Sequence, residues 1–145
     1  LLPLVRKLLP DTMHVVSLVA TIGSQLAGHV VFTRGRIAEQ DESTALLGPL
    51  AVSPVYQRQG VGSSLVRAGL QRLGHEHVDR VFVLGDPAYY GRFGFQPGAA
   101  VLPPYPLPAE WQNAWQSLSL AGSDLSRPGR LDLPGQWLQP SLWLP

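Results

Sequence analysis

Within QRQGVGSS (57–64), Gly60 and Gly62 stand one residue apart, with Arg58 before them and Ser63 and Ser64 behind. Downstream, Gly62, Leu65, Val66, Gly69, Leu70 and Leu73 recur at the spacing of one helix face, so a helix begins near Gly60. The first turn of a helix has unpaired N–H groups and the positive end of the dipole, which together attract an anion. Glycines let a phosphate approach that backbone without meeting a Cβ. Arg58 can add a charge-assisted hydrogen bond, and Ser63 and Ser64 a hydroxyl. The same two glycines also fit a tight strand-to-helix turn that binds nothing. Two other phosphate patterns fail: no lysine follows the glycines as a Walker loop requires, and Leu65 stands where a dinucleotide fingerprint needs glycine or alanine.

The elements around this stretch are legible from periodicity. Leu1, Leu4, Val5 and Leu8 share one helix face, which predicts the tail of a helix whose beginning lies outside the chain. VSLVATIG and QLAGHVVFTR (25–34), separated at Gly23-Ser24, predict an antiparallel hairpin. RGRIAEQDEST (34–44) is polar and reads as a loop. ALLGPLAV (45–52) reads as an apolar strand broken by Gly48-Pro49, either an edge strand or one bulged where a ladder stops. The helix from Gly60 is expected to stop at Gly74 as a left-handed cap. VFVL (81–84) is short and fully apolar, hence central. Asp86-Pro87 then supplies an N-cap and a first-turn proline for a short helix through Tyr90. WQSLSL (115–120) and RLDL (130–133) are weaker strand candidates, and PPYPLP from Pro103 reads as a rigid connection. Strands alternating with a crossover helix make the fold class α/β (α+β), with one mixed sheet and one domain over residues 1–145.

Composition removes several function classes. With 145 residues, a net charge of +1 and 14% charged residues, the chain has no overall field to steer toward nucleic acid or an anionic membrane. Cysteine is absent, which excludes disulfides, thiolate metal sites and a cysteine nucleophile. No apolar run reaches the roughly 18 residues that a membrane helix needs.

Gln57-Arg58-Gln59-Gly60-Val61-Gly62 resembles the Q/R-x-x-G-x-G/A signature of the GNAT superfamily of N-acetyltransferases. Tyr90-Gly91-Arg92-Phe93-Gly94-Phe95 resembles that superfamily's Y-x-K/R-x-G-F segment. GDPAYYGRFGF (85–95) and LLGPLAVSPVYQRQGVG (46–62) are similar to a branch of small bacterial members. The resemblance covers about residues 15–95. It implies a mixed, mostly antiparallel sheet with a splayed central parallel pair, here short of the usual N-terminal strand and helices, and 96–145 supplying C-terminal strands and loops. It implies acetyl-CoA as cosubstrate and no metal. The pyrophosphate would lie on Gln57, Arg58, Gln59, Gly60, Val61, Gly62 and Ser63, and the pantetheine along Leu50, Ala51 and Val52. It also implies a cytoplasmic enzyme acting on an amine-bearing partner, and leaves a homodimer open.

The same resemblance makes Tyr90 the group that protonates the departing thiolate; packing against Phe93 or Phe95 is its alternative role. Tyr89, about 100° away on a helix, is expected to be structural. A lysine-like amine is neutral only about 0.04% of the time at pH 7, so a base would help. The strand 45–52 has no carboxylate; Glu39, Asp41, Glu42 and His29 are the candidates, and the base stays unassigned. Without cysteine, direct attack in a ternary complex is expected. The acceptor is not readable, and a non-catalytic coenzyme A-binding module is the alternative function.

Overall fold

A computed structural model describes residues 2–122 and 127–144, and an eight-stranded mixed sheet organises them. Helix α1 (Leu2–Leu8) buries Leu4 and Leu8, two residues of its expected apolar face; Leu1 lies outside the described residues. Strands β1 (Val15–Ile22) and β2 (Gln25–Ile37) form the expected hairpin, which turns at Gly23 with φ 60°. The stretch 34–44 is not the loop its polarity suggested. β2 continues through Ile37, and β3 (Ser43–Val52) begins by pairing Ser43, Thr44 and Ala45 with Arg36, Gly35 and Arg34. Residues 38–42 connect the two strands, and two of the charges in the stretch are paired: Arg34 with Glu76, and Glu42 with the buried Arg80.

β3 lies between β2, antiparallel, and β4 (Arg80–Leu84), parallel. The β3–β4 ladder runs from Thr44 opposite Arg80 to Leu47 opposite Val83 and ends there. Past Gly48-Pro49, β3 stays on β2 through Leu50, Ala51 and Val52, after a bulge opposite Val31. The parallel pair therefore splays at the expected place, leaving the β4-facing edge of β3 unpaired over its last residues.

Helix α2 (Val61–His75) crosses from β3 to β4 and buries Val61, Leu65, Val66, Gly69 and Leu73 against one sheet face. A Cβ at Gly69 would lie 2.1 Å from the Phe32 ring, so the helix backbone rests directly on that side chain. Gly74 does not cap the helix. His77 takes the left-handed turn at φ 65°, with Val78 N–H donating to Leu73 and His77 N–H to Gly74. This two-bond cap is fixed by the buried contact of Val78 with the helix end, which moves the stop three residues downstream.

Helix α3 (Pro87–Tyr90) follows β4, with the Asp86 side chain accepting from Ala88 N–H. Two-residue strands β5 (Gln96–Pro97) and β6 (Val101–Leu102) carry no sequence signal of their own; they are held by β7 (Trp115–Ser119) and β8 (Gly129–Asp132). The sheet order is β5-β7-β4-β3-β2-β8-β6, with β1 on β2. PPYPLP is a connection with no helix or strand. The face opposite α2 is covered by α1 and by Trp115, Trp137 and Trp143 from the C-terminal third. Among the described residues, no helix is long and apolar enough to cross a membrane.

Candidate active site

The chain from β3 to α2 turns through two left-handed residues, Arg58 (φ 64°) and Gly60 (φ 83°). Tyr56 anchors the turn by donating to Gln25 Oε1 at 2.8 Å, and Gln57 donates to the Val52 carbonyl at 3.1 Å. Gly60 is the N-cap of α2, without a side-chain cap. Ser64 N–H donates to the Gly60 carbonyl at 3.0 Å, so the N–H groups of Val61, Gly62 and Ser63 precede the helical ladder. Those residues line a cleft of about 450 Å³ together with Leu50, Val52, Tyr56, Gln57, Arg58, Gly60, Tyr89 and Arg92.

The two glycines serve different ends. Gly60 has open space around its missing Cβ and is required by its φ; a Cβ at Gly62 would lie 2.6 Å from the Tyr89 hydroxyl. Arg92 leans over the Tyr89 ring at 4.4 Å, and donates to the Tyr89 carbonyl at 3.2 Å and to Ser63 Oγ at 3.3 Å. Two guanidinium groups and a helix N-terminus thus face a cleft whose described lining has no carboxylate, an arrangement that favours an anion.

Leu50 is shared with a second cavity, of about 270 Å³, at the point where β3 and β4 part. Leu46, Leu47, Gly48, Pro49, Leu84 and Tyr90 line it from the sheet side; Leu4, Trp137, Leu142 and Trp143 close it from outside. The Tyr90 ring packs edge-on against Phe95 at 5.9 Å and lies over Gly85, where a Cβ would come 2.4 Å from Cε2. Burial, helped by neighbouring Tyr89, pushes the Tyr90 phenol up to about 12.

Eight of the ten residues expected to face the cosubstrate meet in the first cleft: Leu50, Val52, Gln57, Arg58, Gly60, Val61, Gly62 and Ser63. Ala51 and Gln59 do not line it; Gln59 donates to the Val55 carbonyl instead. The turn of α3 sends the two tyrosines into different cavities, as the helical spacing requires. Tyr89, expected to be structural, lines the first cleft. Arg92 and Tyr56 were also missed as lining residues, since only the folded chain brings 56, 89 and 92 beside 58–63.

The candidate bases lie elsewhere. Glu42 is held by Arg80 at 2.5 and 2.8 Å. It and Glu39 and Asp41 precede β3, roughly 20 Å from the divergence by strand rise. His29 shares a sheet face with the second cavity but bonds Ser17 at 2.6 Å and lines neither cavity. Among the described residues, no carboxylate or imidazole lines either one.

The chain is similar to known proteins in sequence and in fold. YjhQ of Escherichia coli K12, an uncharacterized N-acetyltransferase, is 37% identical over 135 residues, covering 88% of this chain and 75% of YjhQ. The crystal structure of the GNAT family N-acetyltransferase YhbS from Escherichia coli, in complex with CoA, superposes with a TM-score of 0.83 at 30% identity, over 94% of this chain and 77% of that one. A GNAT family acetyltransferase from Brucella melitensis, in complex with acetyl-CoA, gives a TM-score of 0.71 at 28% identity, over 93% and 76%. The model of the acetyltransferase (GNAT) family matches residues 5–95, the span from α1 through both cavities' shared strand to Phe95, and the chain belongs to that family.

Proposed function

We propose that the protein is an acetyl-CoA-dependent N-acetyltransferase that moves an acetyl group to a primary amine by direct attack, residues 1–145 working as one unit. The observation that carries this reading is the open edge of β3, which runs from the anion-favouring cleft at the start of α2 to the cavity beside Tyr90. Pyrophosphate bound at Gly60–Ser63 and Arg58 puts the pantetheine along Leu50–Val52, where its amides replace the missing β4 partner. The thioester then reaches the divergence. The neutral amine nitrogen attacks the carbonyl carbon, a C–N bond forms, the C–S bond breaks, and the sulfur leaves with the electron pair. Tyr90 donates the proton that makes it a thiol, and the proton given up by the tetrahedral nitrogen restores the phenol through water, so that N-acetylamine and coenzyme A result.

The absence of a carboxylate or imidazole from the described lining favours a second reading, a coenzyme A-binding module without turnover. Release of CoA thiol from acetyl-CoA in the presence of an amine panel separates the two: amine-dependent release supports the enzyme, and saturable binding without release supports the module. The cofactor assignment is tested by calorimetry on Gly60→Val and Gly62→Val. Both are expected to lose acetyl-CoA binding while keeping the wild-type circular dichroism; near-wild-type affinity would refute the assignment.

A further inference from the structure

Resting on the acetyltransferase reading, we propose that the second cavity holds the acceptor, and that the acceptor is a primary amine on an uncharged apolar body, an arylalkylamine in its simplest form. The cavity meets the cofactor cleft at Leu50 and carries Tyr90 on its wall, so a molecule inside it lies beside the reacting carbonyl. Apart from Tyr90 and the two indoles, its lining side chains are hydrocarbon. The Trp137 indole N–H donates to Thr33 Oγ1 at 3.0 Å, and that of Trp143 to the Trp137 carbonyl at 3.1 Å. Tyr90 then supplies the polar side-chain group of the lining. A polyamine or an aminosugar would bury further ammonium groups among lining residues without a carboxylate, Asp86 of the adjoining groove being engaged by Ala88 N–H, which is strongly unfavourable.

Size and access agree. A cavity of about 150 Å³ accommodates benzene, so one of about 270 Å³ has room for a ring with a short alkyl chain. Leu84 and Leu142 also line an open groove with Asp86, Pro87 and Trp111, which gives the acceptor and its product a route separate from that of the cofactor. A longer acyl chain of the donor would need no such exit. The apolar lining also bears on the missing base: desolvation disfavours the ammonium form, so the bound amine is neutral more often than the same amine in water. The transfer is the one given above, with the apolar amine supplying the nitrogen after its ammonium proton has been lost to solvent on entry.

The test compares kcat/KM for 2-phenylethylamine, hexylamine, spermidine and lysine amide, with acetyl-CoA affinity measured separately by calorimetry. The two apolar amines are expected to exceed the two charged ones by about tenfold or more, as a desolvated pocket discriminates. Leu142→Asp places a carboxylate at the cavity mouth. It is expected to lower kcat/KM for 2-phenylethylamine by about tenfold and raise that for spermidine, with acetyl-CoA affinity unchanged. Leu142→Trp, which fills the cavity without a charge, is expected to depress 2-phenylethylamine and hexylamine without raising spermidine. Acetyl-CoA binding with preferred turnover of spermidine or lysine amide would overturn this proposal and leave the acetyltransferase reading intact. So would a Leu142→Trp effect confined to hexanoyl-CoA against acetyl-CoA, or turnover of other amines with none of an apolar one. Absence of acetyl-CoA binding would overturn both.

Discussion

At the scale of residues, Tyr90 carries the most specific demand. Desolvation, with Tyr89 adding to it, pushes its phenol up to about 12. Donation to a thiolate whose thiol sits near 8.5 is then uphill by roughly 5 kcal/mol, against roughly 2 for an ordinary phenol. In the proposed transfer the proton would then pass as the C–S bond breaks, through a hydrogen bond already made. Tyr90→Phe keeps the ring contacts and is expected to lower turnover about 10²–10⁴-fold with acetyl-CoA affinity nearly unchanged, read by steady-state kinetics and calorimetry. The raised value also sets a pH dependence. The phenol keeps its proton until about pH 12, so turnover should climb as the amine deprotonates, with no falling limb from Tyr90 below about pH 11. In stability, a folded-state pKa above the unfolded value of 10.0 contributes fully below pH 10 and is lost as pH rises through about 12. Tyr89 makes a different demand, because its hydroxyl lies where a Cβ at Gly62 would go. Gly62→Ala should weaken acetyl-CoA binding, and adding Tyr89→Phe should restore part of it; additive losses in the double-mutant cycle would show that the two do not meet.

At the scale of elements, the start of α2 and its seat on the sheet are separable. Arg58→Ala removes a guanidinium from the cleft but leaves the helix, and should weaken acetyl-CoA binding by about 1.5–3 kcal/mol in calorimetry. Gly69→Ala does the reverse. Its Cβ would strike the Phe32 ring, and overpacking there should lower stability by about 1–3 kcal/mol in denaturant unfolding. Much of this level was legible in the sequence because single residues announce it: Gly23 for the hairpin, Gly60 for the helix start, Pro49 for the end of the β3–β4 ladder, Asp86-Pro87 for α3. What escaped was set by partners distant in sequence. Arg36 reads as a loop residue and Arg34 as a strand end, yet both ride a ladder with β3, and β8 pairs Arg36 and Ile37 on the other side. The cap of α2 fell at His77 rather than Gly74 because Val78 is drawn into the core.

At the scale of the whole molecule, one splayed sheet joins two cores, and each core serves one half of the proposed reaction. The α2 face presents the cofactor cleft, and the opposite face, built from Leu4, Trp137 and Trp143, closes the acceptor cavity. Most of the first half lies in residues 50–63, so motif spacing reached it. The second draws on residues from 4 to 143, and no local pattern could show that Trp137 and Leu142 meet Leu4 over Pro49. The same division explains why Tyr89 and Arg92 looked unrelated to Ser63 until the chain folded them together. A crystal structure of the protein soaked with acetyl-CoA tests the whole arrangement at once. The account predicts pyrophosphate oxygens on the N–H groups of Gly60–Ser63, pantetheine amides paired with the free edge of Leu50–Val52, and the thioester sulfur within hydrogen-bond reach of the Tyr90 hydroxyl. Acetyl-CoA bound away from the β3–β4 divergence, or with its sulfur remote from Tyr90, would contradict it.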